Sequence, residues 1–457
     1  SKLHVVFLDI PRFLADDHGH GMANTAMVTQ TNMVVDQQQR QKQNQVRVIA
    51  LASRTILAAI VIQLLLPRLL PHGPAVNIPP HHRPVTTPVD PNNASLRFSG
   101  GKLTKIYERF ENDGNDPLLV APETILFDDK GVMYIMNENA KLISLTEFQP
   151  KEGGDDDESI LTAKAMEVAD LGMGRPLGGK FDKDGKCLYY ADVLLGLARI
   201  CNLSLNKPNN NVELLASRIK LEDGSWSPIN YADDVDIGPK TGHVYFSDAS
   251  DISTDKDVTG KWDAMYGSKL EGIRGKRTGR LLRYRPDTGE VDLLATNASF
   301  ANGVAVDKDE TYVLYTSTFD VAVMKYHLSG EMEGRSERLL DGFTGFLDGV
   351  DCSFQRGLCY VAIPSTLSPV ARTMFAAPSW VRSLSMMMPR NWTPDAEPYG
   401  AVAEIYPGDE NMPARILRTM QDPDGRDVSF VTGVTEHGGK LYLGSLHSNS
   451  VGVVSID

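Results

Sequence analysis

The sequence predicts an all-β fold, and three observations predict it. A segment of the form apolar residue, Asp or Asn, Gly or Asp, Val, Asp recurs along most of the chain. Each copy leads into a turn and a short β-rich run, as Asp129-Lys130-Gly131 leads into Val132-Met133-Tyr134-Ile135, a local signature of hairpins. Long apolar runs at helical spacing are nearly absent. Short strands in repeated units predict a propeller, whose four-stranded blades surround a central channel.

The strong copies are Tyr231-Ala232-Asp233-Asp234-Val235-Asp236, Phe300-Ala301-Asn302-Gly303-Val304-Ala305-Val306-Asp307 and Phe346-Leu347-Asp348-Gly349-Val350-Asp351. Weaker echoes begin at Ala121, Arg175 and Val431. They predict six blades, nucleated near Glu123, Pro176, Asp233, Asn302, Asp348 and Gly433, within a propeller domain spanning 101–457. The pattern lapses between Pro364 and Val428, where Met386, Met387, Met388 and Trp392 cluster. Such an insert fits a cap on the channel, a membrane contact or ordinary packing against a blade.

The first hundred residues read differently. Residues 1–45 end in a glutamine-rich tract without periodicity and read as a disordered cytoplasmic tail. Residues 46–70 carry the apolar run Ile56–Leu66 with Arg40, Lys42, Arg47 and Arg54 on its N-terminal side. That charge bias predicts a signal anchor with the bulk of the chain lumenal or extracellular, a single-pass type II topology in an endomembrane or the plasma membrane. The run is shorter than the roughly 20 residues of a usual span, so a cleaved signal peptide competes, as does a buried helix. Residues 71–100 are proline-rich and predict a stiff stalk. Four Asn-x-Ser/Thr sequons, at Asn93, Asn202, Asn297 and Asn391, all follow the anchor.

A formal charge of −13 argues against a nucleic-acid partner, because phosphate binding needs a cationic surface. The four cysteines fall in two close pairs, Cys187 with Cys201 and Cys352 with Cys359. Either pair can face across a hairpin, and a secretory setting favours two disulfides over four buried thiols.

The residue just before each innermost strand points toward the channel mouth. Glu123, Asp233, Asn302 and Asp348 hold that position with oxygen-bearing side chains. Such hard ligands, brought together from separate blades, suit calcium; the alternative is that each bonds its own turn.

Several stretches resemble the strictosidine-synthase-like family, within it the membrane-anchored branch. They are Pro122-Glu123-Thr124-Ile125-Leu126-Phe127-Asp128, Gly174-Arg175-Pro176-Leu177-Gly178, Asp233-Asp234-Val235-Asp236, Phe300-Ala301-Asn302-Gly303-Val304-Ala305 and Gly439-Lys440-Leu441-Tyr442-Leu443-Gly444-Ser445. The resemblance implies a six-bladed propeller related to paraoxonases and gluconolactonases, with a calcium site at Glu123, Asp233, Asn302 and Asp348. Gly349 stands where related hydrolases often have a further Asn ligand. The glutamate that strictosidine synthase uses on its last blade has no counterpart in Val431-Thr432-Gly433-Val434-Thr435, and Met173 and Val193 replace the plant enzyme's cysteines. No histidine lies between His82 and His243 to form a paraoxonase dyad. The expectation is a calcium-dependent hydrolase acting on a small ester or lactone, with Asp348 or Asp233 as base. His437 and His447 are the other conceivable bases. A strictosidine-synthase-type condensing lyase and a non-catalytic binding propeller with structural calcium are the alternatives.

Overall fold

The computed structural model describes residue 98 and residues 103–109, 117–151, 160–205, 208, 210–386 and 396–456. The tail, the anchor, the stalk apart from residue 98, the sequons at Asn93 and Asn391 and the Met387–Trp392 stretch lie outside the described residues. The chain divides into two units at residues 72 and 73, and every described residue belongs to the second. Among the described residues no helix is long and apolar enough to cross a membrane.

The chain is built from antiparallel meanders of four strands. The innermost strands are β1 (Ile125–Phe127), β2 (Pro176–Phe181), β3 (Ala232–Ile237), β4 (Ala301–Val306), β5 (Val350–Ser353) and β6 (Val431–His437). Strands β2, β3, β4 and β5 each open a separate four-stranded sheet. Those headed by β1 and β6 are joined into one eight-stranded sheet. The join is the strand Thr104–Glu108, which pairs antiparallel with Ser450–Ser455 and parallel with Ile160–Asp170. An N-terminal strand thus completes the C-terminal sheet, and the closure leaves neither sheet with an open outer edge there.

The inner strands touch in cyclic order, β1 to β2 and onward through β6 back to β1. Apolar side chains between neighbouring sheets form the core: Leu188, Tyr190, Leu142 and Met136 pack in one such layer, Leu314, Val323, Val361 and Ile363 in another. This is the propeller the repeats predict. Side chains also clip inner strands to one another. Asp234 Oδ2 accepts the Val304 amide at 2.8 Å and Asp236 Oδ2 accepts that of Val306 at 2.8 Å. Thr435 Oγ1 donates to the Ile125 carbonyl at 2.7 Å.

The glycine of the repeat has a packing cause. A Cβ on Gly303 would lie 2.4 Å from the Val350 amide nitrogen, and one on Gly433 2.0 Å from the Glu123 carbonyl oxygen. Only glycine lets the strands converge so closely on the axis.

Both cysteine pairs form disulfides across directly opposed positions of antiparallel strands. Asn202 and Asn297 are exposed. Among the described residues, three α-helices appear where the sequence reading placed none: α1 (Ala264–Arg274), α2 (Pro369–Ala376) and α3 (Ser379–Met386). α1 and α3 were illegible because their buried faces are not apolar stripes. α1 buries Ala264, Gly267, Glu271 and Gly272, and α3 buries Arg382 and Ser385. All three sit in connections between the second and third strands of their sheets, and α1 packs against both others.

Candidate metal centre

Each inner strand from β2 to β4 carries a bulge near its start. The ladder register shifts between Pro176 and Gly179, between Ala232 and Val235, and between Ala301 and Val304. β6 shifts likewise between Val431 and Gly433. A bulge breaks the strict in–out alternation and re-aims a side chain. Asp233 and Asn302 lie within these bulges. The backbone entering the strands is also bent in a recurrent way: Ala121 (φ 46°), Phe300 (φ 66°) and Phe430 (φ 52°) are left-handed. Each stands two residues before Glu123, Asn302 and Thr432 respectively. Left-handed backbone is uncommon for a bulky residue and clusters where geometry serves a site.

The result is a buried acidic cluster. One carboxylate oxygen each of Glu123, Asp233 and Asp348 lies within 4.8 Å of the others, with the three residues 6%, 3% and 9% exposed. Glu123 Oε2 and Asp348 Oδ1 are buried without a hydrogen-bond partner. Asn302 is buried beside them and its amide donates to Asp348. The sequence reading thus named four residues that the fold brings together, though they span 225 positions of chain from Glu123 to Asp348.

Electrostatics set the cluster apart. Burial, opposed by Arg175 and reinforced by Asp234, pushes the Glu123 carboxyl up to about 8. Burial first, then the charge of Glu123, hold Asp233 and Asp348 well above the carboxylate range. Three carboxyls so close cannot all ionise without a cation. The orphaned buried oxygens and the all-oxygen donor set fit a hard divalent ion such as calcium.

Sequence reasoning missed several neighbours. Arg175 is 4% exposed, donates through Nη2 to the Ala121 carbonyl at 3.1 Å, and leaves Nη1 buried without a partner. Thr432 Oγ1 is likewise buried and unpartnered, and Thr432 lines the same cavity as Glu123. The signal for both was present, since each occupies the repeat where no carboxylate stands. A cavity of about 180 Å³ runs from Glu123, Asp233 and Asn302 to Lys180, Asp351 and His437. His437 stacks on Phe127 with ring centroids 4.0 Å apart, and His447 packs on Phe430 at 4.6 Å; neither belongs to the three-carboxylate group.

An aromatic chain flanks the cluster. Tyr231 meets Phe300 at 5.1 Å, Phe300 meets Phe319 at 5.7 Å, and Phe319 meets Phe346 and the α2 residue Phe375 at 5.4 and 5.8 Å. Tyr231 and Phe346 stand two residues before Asp233 and Asp348, so the chain begins at the site.

Glu123 is seated by backbone contact. A Cβ on Gly444 would fall 1.6 Å from the Glu123 carbonyl oxygen. Gly444→Ala is expected to lower unfolding free energy by about 3 kcal/mol and to weaken ion binding together with it. Urea denaturation in the presence and absence of calcium checks both effects.

Fold and site together define a class: a β-propeller with a buried carboxylate cluster where its inner strands enter the axial cavity. A family model described as strictosidine synthase matches residues 233–331, which include Asp233, Asp236 and Asn302. Protein strictosidine synthase-like 13 of Arabidopsis thaliana is 28% identical over 264 residues, 58% of this chain and 60% of that protein, so less than two thirds of that relative is spanned. The adipocyte plasma membrane-associated protein of Rattus norvegicus is 26% identical over 379 residues, covering 79% of this chain and 91% of that one. These matches support the resemblance to the strictosidine-synthase-like family that the sequence motifs carry. Among solved structures, a gluconolactonase from Xanthomonas campestris covers 85% of this chain and 99% of its own at 12% identity and a TM-score of 0.47. A luciferin-regenerating enzyme covers 77% and 95% at 12% identity and a TM-score of 0.45. Likeness at that level carries no argument about activity.

Proposed function

We propose that this protein is a calcium-dependent hydrolase of small esters or lactones on a six-bladed propeller, anchored in a membrane by residues 46–70 with its head lumenal or extracellular. The cyclic contact of six inner strands supports the blade count. The N-terminal charge bias supports the anchor, as does a relative named as plasma membrane-associated.

One observation carries the metal and the reaction: three buried carboxylates from three inner-strand entries converge within 4.8 Å, with the buried Arg175 guanidinium acting on Glu123 alone of the three. Ionised, the three carry a negative surplus to which Asp234 adds and which Arg175 offsets only in part, and a divalent cation reduces it. Glu123, Asp233, Asn302 and Asp348 would hold the ion, with the Thr432 hydroxyl beside them. Once bound, the ion supplies Lewis acidity for an ester carbonyl. Asp233 or Asp348 holds the position of general base, taking the proton of an attacking water. Glu123, nearest in charge to Arg175, serves as the fixed ligand. The aromatic chain from Tyr231 to Phe375 offers an apolar flank for an aryl or acyl group.

A strictosidine-synthase-type condensation is the weaker reading, because β6 offers no carboxylate before Glu436. A purely structural ion in a binding propeller is the other alternative. Aryl-ester and lactone turnover by the purified full-length chain, with and without EDTA, separates them. Chelator-sensitive turnover is expected. Absence of turnover on every ester tried, with chelation still lowering the melting temperature, would leave the ion structural and sink the hydrolase reading.

A further inference from the structure

One layer along the axis from the acidic cluster sits a second charged group. Asp236 and Asp351 stand three residues after Asp233 and Asp348 on β3 and β5, and Lys180 reaches them from β2. The Lys180 ammonium lies 3.5 Å from Asp236 Oδ1 and 3.2 Å from Asp351 Oδ1. Each carboxylate uses its other oxygen to tie a neighbouring strand: Asp236 Oδ2 accepts the Val306 amide and Asp351 Oδ2 that of Glu436, both at 2.8 Å. Asp236 Oδ1 also accepts its neighbour Ile237's amide at 2.9 Å.

The lysine is accessible from the axis. Its side chain is 41% exposed, against 9% and 14% for the two aspartates. It lines both the cavity beside Glu123 and a second cavity of about 990 Å³ that opens among the turns around Asp182, Lys240 and Gln355.

We propose that the Lys180 ammonium is a tethered cation filling a position on the propeller axis that a divalent ion would otherwise take. Charge and reach both support it. Asp236 and Asp351 come from strands that are not neighbours, and their facing oxygens repel one another unless a cation lies between them. A tethered ammonium meets that need without the entropy of capturing a free ion. Burial works against its charge, but the two neighbouring carboxylates outweigh burial and raise its pKa above that of an ordinary lysine, so it stays charged. Calcium accepts six to eight oxygens and takes water for those the protein lacks. A neutral side chain at position 180 therefore leaves two carboxylate oxygens and a solvent-filled cavity, a weak calcium site of about 10⁻⁴–10⁻³ M.

The proposal rests on the metal reading above for the first ion only, and the test keeps the two apart. The metal-stripped full-length chain, Lys180→Met, Lys180→Arg and the double variant Lys180→Met/Asp351→Asn are dialysed against millimolar calcium, and bound calcium is counted by atomic emission. The expected counts are one, two, one and one. The difference between Lys180→Met and the parent tests the tethered cation; the parent's own count tests the metal centre. A parent that binds none beside a Lys180→Met that binds one upholds Lys180 and removes the metal centre. Equal counts in the two overturn the Lys180 proposal. Should Lys180→Met fail to fold in ion-free buffer, the proposal requires millimolar calcium, and not sodium at equal ionic strength, to restore its melting transition; failure to do so overturns it as well.

Discussion

Calcium is expected to raise the melting temperature of this protein far more at pH 8 than at pH 5. In the ion-free protein the Glu123 carboxyl titrates near 8 against an ordinary 4.5, chiefly through burial. Asp233 and Asp348 are raised the same way by burial and by Glu123. A carboxyl whose folded pKa is raised binds its proton more tightly in the folded state. Its favourable contribution is therefore complete below about pH 4.5 and is lost as pH rises toward 8. Each tenfold gain in proton affinity is worth about 1.4 kcal/mol, so the ion-free fold loses on the order of a few kcal/mol across that window. Calcium requires the ionised ligands, so its stabilisation grows through the same range and its binding releases protons. Thermal melts in EDTA and in calcium at pH 5, 6.5 and 8, with proton release followed in weakly buffered solution, check this. A calcium effect on melting that is equal at pH 5 and pH 8 would refute the assignment of Glu123, Asp233 and Asp348 to one ion.

Asp348→Asn is expected to separate stability from function. At pH 8 and above, where the ion-free cluster is driven to ionise against burial and mutual repulsion, the substitution removes one of three mutually repelling buried groups, and the new amide can donate to Glu123 or Asp233. The ion-free melting temperature should therefore rise by several degrees, the direction expected when an uncompensated buried charge is replaced by a neutral group. Calcium affinity should fall at least 10-fold to 100-fold, the range seen for lesser disturbances of metal sites. Turnover of any aryl ester should fall by about 10² or more, in line with removal of a transition-state-stabilising group. Calorimetric titration, melting curves and initial rates on one preparation test all three. A variant that melts lower without calcium yet keeps its turnover would show Asp348 to be a structural turn residue.

Some of this was legible along the chain because it depends on near neighbours. The Asp/Asn-Gly-Val-Asp repeat marks strand entries, since each copy pairs a turn with a β-rich run. The hairpin spacing of Cys187 with Cys201 and of Cys352 with Cys359 foretold both disulfides. Glu123, Asp233, Asn302 and Asp348 could be named because each holds the same place in its copy of the repeat. The helices escaped notice, because α1 buries glycines and a glutamate where a helix usually shows an apolar stripe.

Other features arise only when the ring closes. Lys180 belongs to a copy of the repeat that carries no ligand, and nothing near it in sequence marks it as the partner of Asp236 and Asp351. Arg175 meets the Ala121 carbonyl across 54 positions of chain. The strand Thr104–Glu108 finds Ser450–Ser455 only by closing the propeller. The sequence by itself determined the β-rich repeat, the family resemblance and the acidic residues offered to the axis. The tertiary structure alone decided which charges face one another there, because bulges re-aim side chains and the cyclic packing of inner strands sets which of them share a cavity. Charge balance on the axis is a property of that ring, with Arg175 beside one carboxylate layer and Lys180 within the next.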